Sequence, residues 1–311
     1  MIELLDLKND VVFKDFFGDK NSKEILESFI NSVLGFEGGD CIEVEEFLDP
    51  RKMRVEVGKP STFVDLSVKT RSGERYIIEM QTYNHDGFDK RLLYYLGKDY
   101  TEQIEYHYHE PTQISPKTKK LIGWRELPRV HIIAIIDFHR SQKDRNGILN
   151  HQEVVDTYRF KPEISASNGH IFDHWQATIV DLKKFKLKPV NQMETDKEKW
   201  IFLLNDAPSL QKEDVEVLRK DHVFQRALER LEMLSSDPKT RKAYEASVNN
   251  QRDHVAVVEA AEKIALEAGR QEGEKKKSLE IAHNLLKIDL PIEQIMQTTD
   301  LTLEEIKTIQ N

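Results

Sequence analysis

Cysteine is nearly absent: Cys41 is the only one in 311 residues, so the chain can form neither an intramolecular disulfide nor a cysteine-rich zinc cage. There is no run of about 18 apolar residues, which leaves no candidate for a membrane-spanning helix. The opening segment, MIELLDLKND, has no basic stretch, apolar core and small-residue cleavage site in the manner of a secretory signal. A reducing cytoplasm is the expected location. No Walker loop, dinucleotide fingerprint or zinc-deaminase pattern occurs, so the best-marked nucleotide-dependent and zinc-dependent chemistries have no motif to rest on.

What is present describes a globular protein. The hydrophobic fraction is 39% and the charged fraction 32%, too polar for a membrane protein and too apolar for a disordered chain. The formal net charge of -9 speaks against a simple phosphate-gripping surface, which is built from clustered Lys and Arg. A catalytic centre that works through a bound cation has its own reason to be acidic, so the balance of charge does not exclude a nucleic acid as substrate.

Apolar residues recur at helical spacing from Asn9 to Leu34, interrupted at Gly18 and closed by Gly35, which predicts two helices separated by a turn. Phe63–Lys69 and Arg75–Gln81 are rich in β-branched and aromatic residues and flank Arg71, Ser72 and Gly73, a hairpin signal. Helical spacing resumes over Phe88–Tyr108, and VHIIAIIDF, from Val130 to Phe138, reads as a central buried strand. A further strand is expected within His170–Leu182. Tyr106–Leu121, with Pro111, Pro116, Lys117, Lys119 and Lys120, is expected as an exposed loop. Its histidines, His107 and His109, fall short of a metal site because two ligands have no evident third or fourth. Beyond Lys197 the apolar pattern is helical almost to the end.

The division expected is an α/β unit over residues 1–204, a helical extension over 205–258, and a charged, flexible helical connector with a small C-terminal helical element over 259–311. Gly269 and Gly273 each weaken a continuous helix by about 1 kcal/mol relative to alanine. Pro291 suits a helix first turn and Thr302 a helix N-cap. Leu290–Ile306 reads helix, turn, helix, but Glu293, Asp300, Glu304 and Glu305 would face phosphate, so self-association or packing is expected of it.

The hairpin carries the chemistry. With Gly73 in the left-handed position of a three-residue turn, Thr70 pairs with Glu74 and Asp65 lies opposite Glu79. Period-two alternation then puts Phe63, Asp65, Ser67 and Lys69 on one face with Arg75, Ile77, Glu79 and Gln81, leaving Val64, Leu66, Val68, Tyr76, Ile78 and Met80 as the apolar face. Opposed carboxylates repel by roughly 0.2 to 1 kcal/mol. Two readings follow: a pair that wants a hard, oxygen-seeking cation such as Mg²⁺, or a solvent-facing amphipathic hairpin whose acids are simply wet.

A longer pattern favours the first. NDVVFKDFFG (Asn9–Gly18), ESFINSVLG (Glu27–Gly35), FVDLSVK (Phe63–Lys69), IIEMQ (Ile77–Gln81) and RLLYYLGKDYTEQ (Arg91–Gln103), followed by LPRVHIIAIIDF (Leu127–Phe138), VDLKKF (Val180–Phe185) and Trp200, resemble in order and spacing the Rpn family, the recombination-promoting nucleases or putative transposases. The resemblance implies a PD-(D/E)XK core, a mixed sheet flanked by helices, here with a C-terminal helical region. It implies Asp65, Glu79 and Gln81 as the catalytic core, with Asp65 and Glu79 holding Mg²⁺ or Mn²⁺, and metal-dependent hydrolysis of DNA linked to mobile-element recombination or genome defence.

Gln81 fills the lysine slot of the motif, a slot that varies within the superfamily and that reads Glu-x-Gln in the Rpn-like pattern itself; it can orient a water or phosphate oxygen but supplies no charge. Lys69, Lys59 and Lys14 are the candidates to replace it. Arg91 is placed either on phosphate or in a structural pair. Asp10 and Lys14 sit one turn apart and fit an ion pair, and Glu27 is assigned either to the metal or to solvent. The partners expected are DNA and, through the C-terminal helices, a second copy of the chain. The competing function is a catalytically inactive nuclease fold serving as a DNA-binding or protein-interaction module.

Overall fold

The computed structural model describes residues 3–49, 64–83, 87–109, 127–139, 153–160 and 172–310. They divide into two compact units, Met1–Ser247 and Val248–Asn311. The first is built on a six-stranded mixed sheet of order β1-β2-β3-β4-β6-β5. Its strands are β1 (Val44–Leu48), β2 (Leu66–Thr70), β3 (Arg75–Gln81), β4 (Val130–Ile136), β5 (Val155–Phe160) and β6 (Phe172–Asp181). The pairs β1/β2, β2/β3 and β5/β6 are antiparallel, whereas β3/β4 and β4/β6 are parallel.

A parallel pair needs a crossover long enough to return the chain to the same end of the sheet. Between β3 and β4 that connection contains α3 (Phe88–His109), which lies on one face. Its Phe88, Leu92, Tyr95 and Leu96 bury against Ile77, Ile132, Ala134, Ile136 and Ile179. The opposite face carries Leu66, Val68, Tyr76, Ile78, Met80, Ile133, Ile135 and Val180. It packs on α1 (Asp10–Phe17), α2 (Lys23–Leu34), α4 (Asp196–Asp206) and α6 (His222–Ser236). The centre of this layer is aromatic: Trp200 meets Phe224 at 4.7 Å and Phe17 at 6.1 Å between ring centroids. Its indole N–H donates to Ser28 at 3.1 Å, so the buried polar tip of a large ring is satisfied.

Local chemistry explains the ends of these helices. Asn9 caps α1, its side chain accepting from Val11 and Val12 N–H, as an N-cap amide should. Gly35 ends α2 at φ 70°, a left-handed conformation that costs glycine nothing. Gly18 has a different reason: a β-carbon there would lie 2.5 Å from the Lys14 carbonyl oxygen and 2.8 Å from Leu66 Cδ2. Only glycine lets the end of α1 sit this close to the start of β2.

Several expectations change. Strands β1 and β5 escape the sequence reading because both lie at sheet edges and carry register shifts, at Val44/Glu46 and Arg159/Phe160, which break the alternation a strand is recognised by. The expected loop at Tyr106–Leu121 starts late: Tyr106–His109 belong to α3, so His107 and His109 follow helical rather than strand spacing, and residues 110–126 lie outside the described residues. The apolar hairpin face loses Val64, which packs with Ile77 in the α3 layer. Residue 65 is a bend ahead of β2, and alternation does not extend through a bend.

The connector is helical as expected, without a break at Gly269 or Gly273: α7 runs continuously over Pro238–Leu286. Both glycines stand in open space, and a cost of about 1 kcal/mol each is offset by the Ala, Glu, Lys and Leu around them. In the second unit, α7 ends against α8 (Ile292–Thr299) and α9 (Leu303–Gln310) around Ala282, Ile295, Leu301 and Ile306. Thr302 caps α9 as expected, and Glu305 completes a reciprocal cap with it, while Pro291 occupies the N-cap of α8, one position before its first turn.

Candidate active site

The hairpin has the register deduced from its turn. Gly73, at φ 91°, donates to the Thr70 carbonyl at 2.9 Å, and Thr70 N–H donates to Glu74 at 2.9 Å. Lys69 pairs with Arg75 and Leu66 with Ile78. One step further, Asp65 N–H donates to Glu79 Oε1 at 3.3 Å, and Met80 N–H donates to Asp65 Oδ2 at 2.8 Å. Each carboxylate thus accepts from a backbone N–H of the opposite arm at the open end of the hairpin, beside the carboxyl end of β3.

Neither carboxylate is wet. Asp65 is 9% exposed and Glu79 2%, because α1 covers one side of the hairpin and α3 the other. The solvent-facing reading of the hairpin is therefore excluded. Burial raises both carboxyl pKa values. Glu79 is pushed well above its ordinary range by burial first and by the Asp65 charge second. Asp65 is raised by burial against the opposing pull of Lys14.

Lys14 reaches the site from α1, its Nζ 3.0 Å from Asp65 Oδ1. Burial alone would lower its pKa, but Asp65 and then Asp10 and Glu79 reverse the sign and raise it. The Asp10–Lys14 pair expected from spacing gives way to this contact: Lys14 turns to Asp65, and Asp10 accepts from Ser247 at 2.7 Å. Of the two candidate lysines among the described residues, Lys14 is the one brought to the carboxylates. Lys69 pairs with Glu45 at 3.2 Å, four residues or roughly 13 Å along the strand from Asp65, and Lys59 and Phe63 lie outside the described residues.

On the α3 side, Gln81 Nε2 donates to Glu79 Oε2 at 3.0 Å, and Arg91 donates to Gln81 Oε1. The Arg91 guanidinium also sits 5.9 Å from the Tyr95 ring centroid. Tyr95 is pushed up to about 12, by burial first and by Glu79 second. Glu27 stands apart: its Oε1 accepts from Val44 N–H at 2.6 Å and fastens α2 to β1. Sequence reasoning missed the brace beneath this arrangement. Arg75 on β3 meets Asp99 on α3 at 3.1 Å, and Gln103 donates to the other Asp99 oxygen at 3.0 Å. The i, i+4 spacing of Asp99 and Gln103 was the available signal.

The site therefore offers two buried carboxylates with an oxygen-only donor set, flanked by a lysine from one layer and an arginine-held amide from the other. Among the described residues each carboxylate oxygen accepts from a single partner. A carboxylate has about four lone-pair positions, so capacity for a hard cation remains. No cluster of three or more His, Cys, Asp or Glu suited to a metal occurs among the described residues, and no helix there is long and apolar enough to cross a membrane.

Compared with known proteins, residues 7–261 match the family model described as PD-(D/E)XK nuclease family transposase. No curated protein and no solved structure matches the chain.

Proposed function

Because the chain belongs to the PD-(D/E)XK nuclease family of transposases, we propose that it is a metal-dependent DNA endonuclease with Asp65, Glu79 and Gln81 at its centre. The observation that carries this reading is the buried pairing of Asp65 with Glu79 beneath Lys14. Two like charges are not gathered in a low-dielectric pocket without cost, and a shared cation offsets it. Asp65 and Glu79 would hold a divalent ion, Mg²⁺ or Mn²⁺, which when bound lowers the pKa of water and offsets charge building on the phosphate.

The protein's own groups do the rest. Only the ionised forms of Asp65 and Glu79 would ligate the cation, so its binding would be favoured by rising pH. Gln81 orients a water or phosphate oxygen by hydrogen bonding. Lys14, held on Asp65, would supply the positive charge that Gln81 lacks to a phosphate bound through the shared cation. Hydrolysis of DNA by this centre would serve recombination of mobile elements or defence against them.

Purified protein with Mg²⁺ or Mn²⁺ is expected to convert supercoiled plasmid to nicked or linear product, and chelator to stop it. Plasmid left intact under both ions, yet retarded in a gel-shift of the same samples, would instead identify a non-catalytic DNA-binding module.

A further inference from the structure

Besides Lys14, a second positive charge stands one side chain from residue 81. Arg91, in the first turn of α3, donates to Gln81 Oε1, and Gln81 Nε2 donates in turn to Glu79 Oε2 at 3.0 Å. An amide is asymmetric: with its oxygen taken by a guanidinium, its nitrogen must face the carboxylate. A guanidinium donates and has no acceptor, so this contact decides which end of the amide faces Glu79. Arg91 is itself held. Its backbone N–H donates to Gly87 at 2.9 Å, its guanidinium faces Tyr95, and α3 is tied to β3 by Arg75 and Asp99.

We propose that Arg91 is a positioning residue, fixing the Gln81 amide and passing its charge through that amide to the carboxylate pair, rather than a side chain that grips substrate phosphate. This rests on the nuclease reading for its effect on rate, but the coupling between Arg91 and Gln81 is a property of the folded chain.

The proposal has a consequence opposite to intuition. Gln81→Lys would restore the Glu-x-Lys pattern of the wider superfamily, yet it sets an ammonium against the Arg91 guanidinium. Arg91→Ala, harmful alone, should therefore help when combined with Gln81→Lys.

The experiment compares wild type, Arg91→Ala, Gln81→Lys and the double variant, by steady-state cleavage of a duplex oligonucleotide with Mg²⁺ and by melting in chelator. Arg91→Ala is expected to lower kcat roughly 10- to 100-fold, the loss of one charge-assisted hydrogen bond, with KM nearly unchanged. Gln81→Lys should cleave more slowly than wild type and melt lower, and the double variant should exceed Gln81→Lys on both counts. Arg91→Lys keeps the charge without the fork and should hold KM while losing kcat, which covers an alanine variant that fails to fold.

A rise in KM as the main effect of Arg91→Ala, or a double variant worse than Gln81→Lys, would overturn the proposal. If wild type does not cleave, the nuclease reading fails on its own. The melting order in chelator still decides the coupling, and a double variant melting below Gln81→Lys refutes it.

Discussion

Glu79→Gln should make the metal-free protein more stable while destroying its site. Glu79 is 2% exposed and faces Asp65 at the end of the hairpin, and its carboxyl is held well above its ordinary 4.5 by burial and by that neighbour. An unfolded chain loses this proton near 4.5, while the folded chain holds it to higher pH. The contribution of Glu79 to stability is therefore fully present below 4.5 and is lost as pH rises toward the folded value. Glutamine carries no such proton, so the variant should gain on wild type as pH rises from 4 to 8.

Relief of opposed like charges is worth roughly 0.2 to 1 kcal/mol. For a domain of this size that is up to about 4 °C in Tm. Saturating Mg²⁺ should invert the order: an ion at 100 times its Kd stabilises by about 2.7 kcal/mol, which only the intact pair can collect. Calorimetric melts of both proteins at pH 5 and pH 8, with chelator and with Mg²⁺, make the test. A variant that melts below wild type in chelator at pH 8, together with equal Mg²⁺ shifts in the two proteins, would refute the pairing.

Other perturbations have directions set by the same structure. Lys14→Met should abolish cleavage in a protein that still melts cooperatively, while Lys14→Arg retains part of it; full activity in Lys14→Met would move the missing charge elsewhere. Gly18→Ala puts a methyl against the Lys14 carbonyl and Leu66, so it should lower Tm and cleavage together, and an unchanged Tm would show that α1 moves freely. Trp200→Ala removes the centre of the helical layer and should cost about 3–5 kcal/mol, read as a fall in the denaturant midpoint. Ending the chain at Glu259 should leave a cooperatively melting nuclease unit, whereas loss of all soluble protein would place the tail in the core.

The residues that carried most information in the sequence were those whose effect is local. Thr70, Gly73 and Glu74 specify the hairpin register locally, because a three-residue turn admits only one pairing. The same logic put Asp65 opposite Glu79, and the continuous apolar run at Val130–Ile136 is typical of the strand covered on both faces that it forms. What stayed hidden depends on tertiary packing. Lys14 could not be chosen over Lys69 without knowing that Gly18 brings α1 onto β2. Arg91 could not be seen to face Gln81 rather than phosphate until α3 was docked. Val64 changed faces at a bend that no periodicity reports, and the bulged edge strand β1 shows no alternation to read.

The most direct test of the central claim is single-turnover cleavage of supercoiled plasmid by wild type and Glu79→Ala, purified identically and assayed with Mg²⁺. Cleavage by wild type alone, abolished by chelator, is the predicted result. Equal cleavage by the two proteins would contradict it, because the activity would then owe nothing to the carboxylate pair at the end of the hairpin.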